Sequence, residues 1–229
     1  MSVISSLKVF MTNAHNERSV ANGRVESINV GTPRTVEWHG QAIHTSIYKE
    51  PVGGPVRLDG VNVHGDDQAD RRVHGGVDMA VYAYAAEDAD WWSGQLGRSV
   101  PPGTFGENLT TSGIDVTNAV VGERWRIGSA LLEVSQPRVP CYKLGIRMSD
   151  DDFPRRFGLA VRPGAYLRII ENGTITAGDQ IKVVFRPDHA VTVGAVARAH
   201  VTHDPSGIDW SSAEGLADSW VHWAASMAR

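Results

Sequence analysis

The chain has 229 residues, a formal net charge of −4 and a hydrophobic fraction of 41%. That length suits one large domain, or one domain with an appendage. The slight acidity excludes a general electrostatic grip on nucleic acid, and no run of about 18 apolar residues offers a membrane span.

Residues 1–20 lack a long apolar stretch and include Asn13, Asn16, Glu17 and Arg18. They do not read as a signal peptide, so a cytoplasmic protein with a reduced thiol is expected. Short β-branched runs at 25–30, 34–38 and 42–48 predict strands, with turns at Gly31-Thr32-Pro33 and His39-Gly40. Residues 51–55 read as loop. A strand is expected over 77–84, then an acidic, Trp-bearing helix over 85–96. Residues 97–113, rich in Gly, Pro, Thr and Asn, read as loop. Two strands follow over 123–136 around Gly128-Ser129. A short helix over 150–157 would take Ser149 as N-cap. Asn172-Gly173, between runs at 166–170 and 174–176, predicts a hairpin. A last strand spans 180–185.

Composition shifts after Pro187. Apolar residues recur at helical spacing over 191–201, with Thr192 as cap. Ser211 and Glu214 fit a capping box opening another helix, where Trp220 and Trp223 share a face. The expected fold is mainly β with α: a barrel over 1–188, because many short strands must dispose of their edges, and a C-terminal helical module over 189–229.

Three segments could carry chemistry. In the run 65–76, Gly75 and Gly76 expose backbone amides, Arg71 and Arg72 offer forked donors, and His74 adds a donor or ligand. This reads equally as an oxyanion cradle or as a turn whose aspartates pair with its arginines. In the loop 103–111, Asn108 could meet a heterocycle edge, and Glu107 could orient an arginine or move a proton. The alternative is a loop that caps its neighbours. Cys141 is the only cysteine, with Arg138 and Lys143 nearby to favour its thiolate. A single thiol can be a nucleophile, a sulfur carrier or one soft metal ligand. On local sequence alone the more usual fate of such a residue is a small buried hydrophobe.

The runs Arg-Arg-Val-His-Gly-Gly at 71–76, Gly-Thr-Phe-Gly-Glu-Asn-Leu-Thr-Thr at 103–111 and Gln-Pro-Arg-Val-Pro-Cys-Tyr-Lys-Leu at 136–144 resemble, in that order, the MOSC (molybdenum cofactor sulfurase C-terminal) domain family, and within it the stand-alone bacterial YiiM-like proteins. Residues 48–52 and 54–56 resemble the first loop of that group, and the tail resembles its three-helix module. Asp67 stands where glycine is common and Val77 where proline is common.

The resemblance implies a β-barrel that binds the molybdenum cofactor, a pterin (molybdopterin) with a dithiolene and a phosphate. It implies Cys141 at molybdenum or as a sulfur carrier. Arg71, Arg72, His74, Gly75 and Gly76 would take the phosphate, and Glu107 and Asn108 the pterin or substrate. Arg138 would contact the phosphate or hold the thiolate, with Lys143 beside it. It further implies an oxidoreductase, independent of pyridoxal phosphate, that reduces hydroxylaminopurines and hydroxylamines to amines and so detoxifies base analogues. One cysteine cannot hold a four-cysteine iron–sulfur cluster, and no flavin or nicotinamide fingerprint is visible, so a separate reductase would supply electrons. Nucleic acid and membrane are not expected partners; a homodimer is compatible with the sequence. The alternatives are a sulfur carrier using a Cys141 persulfide, and a module that binds the cofactor without chemistry.

Overall fold

The computed structural model describes residues 22–67 and 75–227. In chain order the strands are β1 (Asn22–Val30), β2 (Arg34–Trp38), β3 (Gln41–Thr45), β4 (Glu50–Pro51), β5 (Val56–Asp59), β6 (Asn62–Val63), β7 (Val81–Ala85), β8 (Leu109–Ser112), β9 (Arg124–Ile127), β10 (Ala130–Pro137), β11 (Ala165–Glu171), β12 (Gly173–Ile175) and β13 (Gln180–Phe185). The helices are α1 (Ala86–Leu96), α2 (Tyr142–Met148), α3 (Phe153–Leu159), α4 (Val193–Thr202) and α5 (Asp218–Met227).

Seven strands close a barrel in the order β1-β13-β9-β10-β11-β7-β8 and back to β1, while β4 adds to β1 outside the ring. Closure removes the unpaired edges that a long set of short strands would otherwise expose. β7 and β8 pair in parallel, which requires a crossover, and α1 with the loop after it supplies one. Every residue of β10 is buried. One face fills the barrel with Leu132 and Val134. Helix α4, the turns before α5 and α5 itself extend the same core with Val193, Val196, Leu216 and Trp220. A second core lies outside the barrel, where Trp92, Phe105, Phe153 and Phe157 join Tyr82, Tyr84 and Leu144. There Trp92 stacks on Phe157 with centroids 5.8 Å apart. This aromatic block seats α1, α2 and α3 beside the cleft described below.

The structure corrects several expectations. Residues 77–79 form a short 3-10 turn before β7 rather than the start of a strand. β8 lies inside the stretch read as loop, because its polar Thr110 and Thr111 are buried against β1 and β7. Ser149 ends α2 in a left-handed conformation instead of opening α3. The Asn172-Gly173 step is not a hairpin. β11 pairs with β10 and β7, whereas β12 crosses to β5. The Asn172 side chain instead ties to Asp59 and to the Gly60 amide. Ser211 and Glu214 lie in turns, and α5 begins at Asp218. The described tail holds two helices rather than three, α4 with Thr192 as its cap and α5.

Candidate active site

A cleft opens where the loop after β3, the segment around Asp66 and the loop after β10 meet. Its walls contrast in how their charges are paired.

One wall is built on Lys49 and Asp66, both buried and joined as an ion pair through both carboxylate oxygens. Asp66 also accepts from the Gly31 amide at 2.8 Å and from Asn108 Nδ2 at 3.0 Å. Burial lowers the Lys49 pKa, against the opposing pull of Asp66 and Glu107. Asn108 is the knot of this wall. Its Oδ1 accepts from the Tyr82 amide at 3.1 Å, and its Nδ2 also reaches the Asn29 carbonyl at 3.3 Å. One amide side chain therefore pins β7 and β1 together at the start of β8.

Glu107, next to it, faces inward. Its carboxylate accepts from the Gly103 amide at 2.6 Å, the Phe105 amide at 3.0 Å and Thr110 Oγ1 at 3.1 Å. Burial raises its pKa, and those donors act against the rise. The side chain holds its own loop together and does not line the cleft, contrary to the pterin-contact expectation. The loop needs glycine where it does: at Gly103 φ is +79° and a Cβ would sit 2.4 Å from the Lys49 carbonyl oxygen.

The opposite wall leaves β10 at Pro137. Arg138 is 93% buried, at 7% exposure. Its Cζ lies 5.2 Å from the Tyr82 ring centroid and 5.6 Å from that of Phe157. Its Nη1 is buried and makes no hydrogen bond. Burial works against the Arg138 charge, but Tyr82, Tyr166 and Cys141 more than offset it and hold its pKa above the ordinary value. Burial in turn raises both tyrosines, which keeps them as neutral hydroxyls. Cys141, half-buried, stands in the N-cap position of α2, and its carbonyl accepts from the Leu144 amide at 2.9 Å. Cys141, Arg138 and Lys143 all line the cleft.

Of the residues expected at the site, the fold brings together Cys141, Arg138, Lys143, Asn108 and Gly75. Gly75 and Gly76 have φ of 123° and 88°, as an amide-exposing turn requires, though Gly76 stands outside the lining. Arg71, Arg72 and His74 lie outside the described residues. Lys49, Asp66, Tyr82 and Tyr166 were not anticipated as part of the cleft. A lysine beside Tyr48 and an aspartate 17 positions later carry no local mark of pairing. Among the described residues no group of three or more His, Cys, Asp and Glu could hold a metal ion.

A closed barrel whose cleft holds one thiol beside a buried cation defines a class of protein, and comparison identifies it. The MOSC domain model matches residues 70–182. The chain is 34% identical over 200 residues to the uncharacterized protein YflK of Bacillus subtilis, covering 86% of this chain and 90% of that protein. It is 34% identical over 159 residues to a reductase of Gibberella moniliformis, covering 65% of this chain but 27% of that longer protein. The crystal structure of YiiM from Geobacillus stearothermophilus superposes with a TM-score of 0.75 at 28% identity, covering 90% of this chain and all of that one. The chain belongs to the MOSC domain family.

Proposed function

We propose that this chain is a molybdenum-cofactor-dependent oxidoreductase that reduces N-hydroxylated bases and hydroxylamines to the corresponding amines. The observation that carries the reading is one cleft holding both a half-buried thiol and a buried guanidinium with a spare donor, Arg138 Nη1. A buried donor left without an acceptor costs roughly 1–3 kcal/mol, so an oxyanion ligand at that point is favoured. Ser46 Oγ, also in the lining, is buried without a partner as well. A phosphorylated pterin bearing a soft metal fits this donor set: a thiolate for the metal, and Arg138, Ser46 Oγ and the Gly75 amide for the phosphate and ring. MOSC membership and the reductase name of one relative support the same reading.

When bound, the cofactor would supply the two-electron redox chemistry. The chain's own residues do the rest. Arg138 and Lys143 place positive charge beside Cys141 and favour the thiolate over the thiol. Tyr82 and Tyr166 stay protonated and close the cleft floor. The Lys49–Asp66–Asn108 wall holds the opposite side in a single geometry. In the balanced reaction the N–O bond breaks and the oxygen leaves as water, at the cost of two electrons and two protons. With one cysteine, these residues cannot hold a four-cysteine iron–sulfur cluster, so the electrons would come from a reductase outside them.

The test is Cys141→Ser on protein made in cells that synthesise the cofactor. N-hydroxyl reduction with a chemical or enzymatic electron donor should fall to background while melting temperature and circular dichroism are unchanged. Full activity in that variant with cofactor bound would refute the thiol's role. Persulfide on wild-type Cys141 with no turnover would favour sulfur transfer instead.

A further inference from the structure

Beside the cleft, two arginines lie over one ring and a third stands near one of them. Tyr48 lies between Ile47 and Lys49, which both line the cleft. The guanidinium carbon of Arg34 sits 3.6 Å from the Tyr48 ring centroid, and that of Arg147 sits 5.0 Å from it. Arg147 follows the cleft residue Lys143 by four positions on α2, so both stand on one helix face. Arg98 is the third member: its Nη2 lies 3.9 Å from the sulfur of Met148, the neighbour of Arg147. Burial lowers the Arg147 pKa, with the like charges of Arg34 and Arg98 adding to the fall and Tyr48 and Glu107 opposing it.

Among the described residues, none of the three arginines forms an ion pair with a carboxylate. Elsewhere the chain does pair its arginines, as Arg168 with Asp78 and Glu133 shows. Arg34 and Arg98 are exposed and can be hydrated at little cost. Arg147 is different, because its Nε is buried and makes no hydrogen bond. A half-buried cation beside two like charges, with a spare buried donor and no carboxylate among the described residues paired to it, is arranged for an anion rather than for the fold alone.

We propose that Arg34 and Arg147, held over Tyr48, form with the neighbouring Arg98 a second oxyanion subsite that takes the phosphate of a nucleotide whose base end occupies the cleft. The assignment rests on the reading of the cleft as the place where an N-hydroxylated base is held, and it makes the preferred substrate the phosphorylated form of that base. Guanidinium forks match phosphate oxygens in pairs, and an aromatic ring beneath them keeps the forks aligned without neutralising them.

The experiment measures equilibrium binding of adenosine 5′-monophosphate, adenosine and inorganic phosphate to the full chain, without turnover. Wild-type protein should bind the monophosphate about tenfold or more tightly than adenosine, as expected for charge-assisted contacts to one phosphate. In Arg34→Gln/Arg147→Gln that preference should vanish while adenosine binds as before and cofactor content is unchanged. Arg34→Gln alone, at an exposed strand end, should lower the preference and serves if the pair disturbs α2. Equal affinity for nucleotide and nucleoside in wild-type protein, or a preference that survives the double substitution, overturns the subsite. Inorganic phosphate binding as tightly as the monophosphate overturns the nucleotide assignment. Because no step is catalysed, loss of the reductase reading through Cys141→Ser would leave each of these outcomes readable.

Discussion

The two walls of the cleft each hold a buried cation and are oppositely provisioned. On the Lys49–Asp66 wall each charge meets its opposite, and Asn108 stitches the pair to two strands. On the Arg138–Cys141 wall the cation has aromatic rings and a sulfur for company but keeps a buried donor unspent. A satisfied polar network rigidifies, whereas an unsatisfied one awaits a ligand. One wall thus carries mainly structure, with Ser46 Oγ as its spare donor, and the other carries recognition.

Substitutions can separate these roles. The largest effect is expected at Asp66→Ala, which strands the Lys49 charge in the interior. The loss of folding stability should be about 3–5 kcal/mol, as for breaking other buried pairs, and urea denaturation measures it. Replacing both partners, Lys49→Met with Asp66→Leu, should recover much of that loss. If Asp66→Ala is neutral, the paired wall is not structural and the comparison fails.

Arg138→Met should do the reverse. Stability should change by no more than about 1 kcal/mol, because an unspent buried donor is exchanged for an apolar chain of similar reach. Cofactor content per chain should nevertheless fall severalfold. Unchanged molybdenum and pterin content would remove the recognition role from this wall.

The smallest effect lies behind the second wall. His200 lines a lesser cavity that shares Arg138 and Val139 with the cleft wall, and its Nδ1 is buried without a partner. Burial lowers its pKa below the ordinary value of 6.5, with His203 adding to the fall. The unfolded chain therefore binds the proton more readily, so this residue's contribution is intact above pH 6.5 and is lost as pH falls through the folded value. His200→Phe should flatten the pH dependence of the melting temperature in that window. An unchanged slope would show that the tail's packing does not depend on a neutral His200.

Local pattern was a good guide to some elements and a poor one to others. β2 and β13 coincide with the β-branched runs that predicted them, and Thr192 caps α4 as its position suggested. The Asn172-Gly173 step misled because its dipeptide favours a tight turn, while the next strand finds a better partner in β5. α2 escaped notice because only seven residues separate its prolines and turns from the next loop. At the site, Cys141, Arg138, Lys143 and Asn108 announced themselves by residue type and neighbours. Glu107 did so too, yet its carboxylate turned inward to backbone amides that no sequence pattern displays.

By itself the sequence determined the chemistry on offer: one thiol, basic residues within a few positions of it, glycines where the backbone must bend, and strands too short to leave their edges open. Those are properties of residue types and close neighbours, which a linear pattern carries. Only the tertiary structure decided which charges are spent on one another and which are kept for a ligand. Lys49 finds Asp66, Arg138 finds rings instead of a carboxylate, and Arg34 and Arg147 meet at Tyr48. Pairing and burial depend on distances between parts of the chain remote from one another, and barrel closure sets those distances.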